Sequence, residues 1–287
     1  MDSSKKHFHT LDALRFFSFL IVFFHHIPVP ENSLFSVFSK SGDVGVSFFF
    51  VLSGFLISYI LIFEKKANKT INLKNFLAKR ILKIWPLFYA MLLFAFLTPF
   101  ILKQLQLSFS NEGYEPNWLL SVLFLENYNM MLTNNFPNVS PLRVMWSLCI
   151  EEHFYIIWGF LFSIIPLNKI KYLIIISIVL ASVCRLFYSY FNLPFLDVFT
   201  NIDYFAFGAI PAYILSSKKE QLITIEKLSY SFKIGICLLT IVAIFGLSNL
   251  NFEWLKFVKP IIYGILFATI LSFVITQKNS LKIKDTL

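Results

Sequence analysis

Residues 11–27 read LDALRFFSFLIVFFHHI, an oily segment with an arginine near its start and two histidines at its end. As a helix it is about 25 Å long, most of the depth of a bilayer's hydrocarbon core. Arg15 and His26 are eleven residues apart, about 1100° of helical rotation, so they share a face about 16 Å apart. Ser18 and Val22 lie on that stripe, and His25 is turned about 100° away. Taken singly, Arg15 reads as snorkelling to headgroups and His26 as an interfacial residue. Sharing one face argues for a common purpose, because ionisable groups inside spans are costly and mark function.

The rest of the chain has the same character. Apolar residues make up 57% of the 287 positions and phenylalanine alone occurs 36 times, with a mean hydropathy of +0.71. Eight runs are long or apolar enough to cross a membrane: 11–29, 44–63, 81–102, 148–166, 172–191, 203–217, 234–249 and 257–276. The sixth is short and the third long. They predict an all-α, polytopic integral membrane bundle forming one transmembrane domain over 1–287, with no Gly/Ser linker or repeat to divide it.

Charge sets the orientation. With the N-terminus cytoplasmic, nineteen lysines and arginines fall on the cytoplasmic side and six on the other, as the positive-inside rule expects. The basic tail KNSLKIKDTL then also lies inside. Basic loops facing anionic lipid account for the net charge of +9 without a nucleic-acid partner, for which no signature is present. Cys149, Cys184 and Cys237 are scattered through spans and give neither a disulfide framework nor a metal spacing. The first apolar segment lacks a small-residue cleavage site, so no removable signal is read there. The longest polar stretch is an outer loop over about 103–147. Within it residues 117–132 are apolar enough to dip into the interface, while Glu126 and Asn127 argue against a full span.

Other polar groups stand out among the spans. WSLCIEEHFY, residues 146–155, opens the fourth span with Glu151, Glu152 and His153. Ser147 is a candidate N-cap, and one glutamate there would suit the helix dipole. Two glutamates beside a histidine are harder to explain so, because a carboxylate that orients an imidazole is what general-base catalysis needs. Ser53-Gly54 in mid-span reads as a small-residue helix contact. Lys79, Arg80 and Lys83 at the start of the third span are either positive-inside anchors or, with Arg15, an anion site. Asp203 opens the sixth span.

In order along the chain, these stretches resemble the membrane-bound acyltransferase-3 family. LDALRFFSFLIVFFHH is similar to its arginine–ten residues–histidine signature, with Arg15 and His26 in register. VGVSFFFVLSGFLI resembles its G-x-x-x-F-F-x-L-S-G-F motif. FLAKRILKIWPLFY is similar to R-R-x-x-R-I-x-P, carried by Lys79, Arg80, Lys83 and Pro86. WSLCIEEHFY resembles W-S-L-x-x-E-E-Q-F-Y, and IDYFAFGAIPA the segment D-x-x-x-x-G-A-x-x-A. His153 stands where the family usually has glutamine, Lys83 where it has arginine, and Asn201 where an arginine often precedes the aspartate. The family usually has about ten spans, so the resemblance implies either that this chain ends early or that it is a shortened member.

The resemblance implies transfer of an acyl group, often acetyl from acetyl-CoA, to a hydroxyl of an extracytoplasmic carbohydrate, in the cytoplasmic membrane of a bacterium. CoA would be a cosubstrate, with no tightly bound cofactor and no metal. It would assign Arg15, Arg80 and Lys83 to the donor's phosphates and His26, Glu151 and Glu152 to catalysis. Asp12, Ser53, Trp146, Ser147 and Asp203 would support the site. Base catalysis and a transient acyl-histidine use the same residues. The competing class is a transporter or flippase without chemistry, which suits intramembrane charges but gives no reason for the Arg15–His26 spacing.

Overall fold

The computed structural model describes residues 9–27, 41–107, 112–217, 219–250 and 252–276. The N-terminal cations and the basic tail invoked for orientation lie outside them. Among the described residues 83% are helical and none is in a strand. In chain order the helices are α1 His9–His26, α2 Gly42–Asn68, α3 Leu73–Gln104, α4 Trp118–Val122, α5 Glu126–Thr133, α6 Ser140–Arg143, α7 Trp146–Ile164, α8 Ile170–Tyr190, α9 Val198–Ser217, α10 Lys219–Lys227, α11 Tyr230–Ser248 and α12 Leu255–Thr276. Seven stretches are long and apolar enough to span a bilayer: α2, α3, Pro141–Ile164, Leu167–Tyr190, α9, α11 and α12. The protein is therefore a multi-pass membrane protein. The eighth expected span is α1, whose 18 residues include Asp12, Arg15 and three histidines that lower its mean hydropathy.

Two expectations are corrected. The sixth span is not short: α9 starts at Val198, and its polar first turn is helical because Asp197 Oδ1 accepts the Thr200 N–H at 2.9 Å, the bond an N-cap makes. Ser147 is not an N-cap: α7 follows Met145, and the Ser147 hydroxyl donates back to the Val144 carbonyl at 3.4 Å. The apolar stretch 117–132 does fall short of a span. It breaks into α4 and α5 at Phe124, whose φ is 59°.

The chain's contacts fall into two units, residues 1–63, 171–178 and 203–287, and residues 64–170 and 179–202. In the first, α2 and α9 meet backbone to backbone. A Cβ on Gly54 would collide with the Phe205 backbone, and one on Gly208 with the Val51 carbonyl. Close approach through small residues drives helix association in lipid, where apolar side chains gain little from burial. The contact is flanked by rings, Phe50 on Phe205 at 4.8 Å and Phe48 on Phe267 at 4.5 Å. The Ser53-Gly54 reading is thus met at Gly54.

In the second unit α3 and α7 run antiparallel. Gly159 packs on Leu73 and Phe76 near one end, while Met145 and Cys149 join Phe88 and Leu92 in a buried cluster further along. Buried Lys65 closes the C-terminal end of α7: its ammonium donates to the carbonyls of Phe162 at 2.6 Å, Ser163 at 3.1 Å and Ile165 at 2.8 Å. These are the oxygens a helix end leaves without partners, at the negative end of its dipole.

A methyl added at Gly54 should force α2 and α9 apart and cost about 1–3 kcal/mol. Gly54→Ala should therefore unfold at lower temperature in detergent than the wild type, whereas Gly235→Ala, with open space around it, should not. Equal melting temperatures for all three proteins would contradict the contact.

Candidate active site

The α1 stripe packs as its periodicity predicts. Gly45 of α2 faces Val22 and the Ser18 carbonyl, and Gly42 faces the His25 ring so closely that no Cβ would fit. His25 is therefore held against α2. Both histidines are nonetheless exposed, the His26 ring edge-on to His25 at 4.9 Å. Arg15 pairs with Asp12 at 3.2 Å across three residues, which gives Asp12 a role that the sequence reading had left general. At this exposure the pair contributes little to stability; its effect is to aim the guanidinium.

The glutamate pair divides. Glu151 is half-buried and accepts a hydrogen bond from Tyr155 at 3.0 Å, one turn on. Glu152 is buried to 6% exposure, and its Oε1 accepts no hydrogen bond among the described residues. It is the seventh residue of α7, one turn further in than the first turn expected from sequence. The groups acting on it come from α3: the Arg80 charge and the Trp85 indole, with the Tyr89 phenol also near enough to feel its charge. Trp85 Nε1 and Glu152 Oε1 face each other, yet neither completes a well-formed hydrogen bond. Sequence reasoning set Arg80 and Glu152 apart, one for the donor and one for catalysis. The structure brings them together.

The other candidates are placed less tellingly. Lys79 and Lys83 are exposed on α3, and Arg80 also lies over the Phe76 ring at 5.8 Å. Trp146 is half-buried at the start of α7, and Ser53 is half-buried beside Gly54. Asp203 is fully buried in α9, its Oδ1 accepting the Tyr204 N–H at 3.0 Å. Asn201, to which no role was carried, donates to the Phe195 and Asp197 carbonyls at 3.0 and 2.9 Å.

The segment between α3 and α7 is ordered by a second buried carboxylate. Glu126 accepts from Tyr114 at 2.6 Å, Ser121 at 2.5 Å and Asn129 at 3.1 Å. Burial and then the Glu126 hydrogen bond push the Tyr114 phenol far above its ordinary range, so it stays a neutral donor at any physiological pH. Beside this knot His153 stacks on Tyr128 at 5.5 Å.

A family model described as an acyltransferase domain matches residues 8–285. The chain belongs to the acyltransferase-3 family. Similar to it are the peptidoglycan O-acetyltransferase OatA of Listeria monocytogenes, 34% identical over 161 residues, and the putative peptidoglycan O-acetyltransferase YrhL of Bacillus subtilis, 31% over 153. The O-acetyltransferase OatA of Staphylococcus aureus is 27% identical over 175 residues. These matches cover 54%, 52% and 59% of this chain but only 24%, 22% and 28% of the relatives, so the similarity takes in about a quarter of each relative's length. No solved structure matches.

In this acyltransferase-3 chain the sequence reading missed Trp85, Lys65 and the partners of His153. Trp85 had a signal: it follows Lys79, Arg80 and Lys83 on a helix of lipid-like composition, an unusual place for an indole N–H. Lys65 had none, since it reads as one more cytoplasmic cation.

Glu126→Ala should strand three donors and destabilise the segment between α3 and α7 by about 2–4 kcal/mol. Limited proteolysis should then cut between residues 112 and 137 in the variant and spare the wild type; equal resistance would contradict the knot.

Proposed function

We propose that this chain is an O-acetyltransferase that takes the acyl group from cytoplasmic acetyl-CoA and places it on a hydroxyl of an extracytoplasmic carbohydrate. Both units serve one transmembrane acyltransferase domain with its N-terminus in the cytoplasm. The relatives' names make peptidoglycan the first acceptor to examine. The observation that carries the reading is the buried Glu152, held in the second turn of α7 with Arg80 and Trp85 acting on it, in a chain of the acyltransferase-3 family. A scaffold has no use for such a group, and its burial is costly.

Arg15, Arg80 and Lys83 supply positive charge for the donor's phosphates. His26 is the base. It takes the proton as the acceptor oxygen attacks the thioester carbonyl; the new C–O bond forms, the C–S bond breaks, and the CoA thiolate leaves and recovers the proton. In the alternative route the imidazole first displaces the thiolate and the hydroxyl then takes the acyl group from it. Glu152 is the carboxylate of the reaction, and Glu151, tied to Tyr155, fixes the turn that presents it.

Membranes bearing the wild-type chain should transfer label from radiolabelled acetyl-CoA to isolated glycan. His26→Ala should lower the rate by at least about a hundredfold while the protein remains membrane-inserted, and His25→Ala should keep most activity. Near wild-type activity in His26→Ala would overturn the assignment.

A further inference from the structure

The short helix α4 exposes large apolar side chains although it is no span. Trp118 is 66% exposed and Leu123 54%, and Leu119 is open too. These three fall within about 140° of helical rotation, while buried Ser121 lies outside that arc and donates to Glu126. An exposed apolar face with a polar side turned inward marks a docking surface for a partner or a membrane.

Three observations select lipid. The first is depth. The turn after α4 docks on the side of α3: the Tyr89 hydroxyl donates to the Val122 carbonyl at 3.1 Å, and the Phe124 ring stacks on Phe88 at 3.9 Å. From Tyr89, α3 runs on for fifteen residues, about 22 Å. Tyr128 stacks on His153, seven residues into α7 from Trp146, about 10 Å. Both contacts set the turn alongside these helices and not beyond their ends. The second is continuity. Leu87, Met91 and Phe94 form an exposed i, i+4, i+7 stripe beside Phe88 on a helix apolar enough to span a bilayer, a face that lipid covers, and the turn joins α3 next to it. The third is the backbone. The N–H groups of Leu119 and Leu120 donate to the Asn117 side chain at 2.9 and 3.3 Å, and those of Ser121, Leu123, Phe124 and Leu125 to carbonyls of the same segment. Irregular backbone at membrane depth needs such closure, because hydrocarbon offers no substitute for water. We propose that α4 and the turn after it are an interfacial element whose Trp118–Leu123 face lies against lipid acyl chains. This holds whether or not the chain transfers acyl groups. At the candidate site it has a use, since Phe124 stands 5.7 Å from Trp85, the residue that faces Glu152, and lipid meets the turn before it meets that pair.

The test is tryptophan fluorescence of the full chain in phosphatidylcholine vesicles, made with and without bromine on the acyl chains. The emission of Trp118 is the difference between the wild type and Trp118→Phe, a variant that keeps an exposed ring in place. Brominated lipid should remove most of that difference, and iodide present on both sides of the vesicle should leave it nearly unchanged. A second reporter, Leu123→Trp in the Trp118→Phe background, should behave in the same way. Quenching of Trp118 by iodide and not by brominated lipid would put the face in water and overturn the proposal. Resistance to both quenchers would overturn it too, because the face would then be covered by protein, such as a second copy of the chain.

Discussion

A carboxylate buried in a membrane helix has to be met by something, and in the second unit that requirement organises the packing. Glu152 is buried among Cys149, Phe154 and Tyr155 of its own helix, where hydrocarbon offers nothing for a charge. What faces it is α3, with the Arg80 charge and the Trp85 indole. Those groups reach it because the register of α3 on α7 is fixed on both sides of the glutamate. Gly159 admits Phe76 on one side, and Met145 and Cys149 lock with Phe88 and Leu92 on the other. Lys65 then pins the end of α7 through three carbonyls. A slip of one residue would turn Glu152 about 100° away from α3.

The first unit solves another problem, that of holding helices together where burying apolar side chains gains little. Gly54 and Gly208 let two backbones touch, and the phenylalanines around them fill the space left beside that contact. The same device recurs at α1, where Gly42 and Gly45 admit His25 and the Ser18–Val22 stripe. Two glycines of α2 thus set how the arginine–histidine helix lies, which explains physically why the two motifs occur together.

Composition and periodicity made most of the fold legible: seven of the eight expected spans are long apolar helices, and α1 is the eighth, shortened in hydropathy by its own charges. The errors lie at helix starts. Thr200 and Asn201 look like loop residues until Asp197 is seen capping them, and Ser147 looks like a cap until its hydroxyl is seen turned back to Val144. Such signals are local in sequence yet decided by a neighbour's side chain. In the candidate site, the residue types were legible and the pairings were not. Arg80 with Glu152, Lys65 with the end of α7, and His153 with Tyr128 join residues from 25 to 100 positions apart, and no spacing rule reaches that far. The Arg15–Asp12 and Glu151–Tyr155 pairs, three and four residues apart and each on one helix, lay within reach of it.

The account stands on a division of labour across the membrane, with donor on the cytoplasmic side and acceptor outside. The most direct test supplies radiolabelled acetyl-CoA to the cytoplasmic face of sealed inverted vesicles that carry this chain and enclose a soluble glycan. The account predicts labelled, alkali-labile esters on the enclosed glycan, absent in vesicles bearing His26→Ala. Label that stays outside, or consumption of acetyl-CoA that is the same with and without the chain, would contradict it.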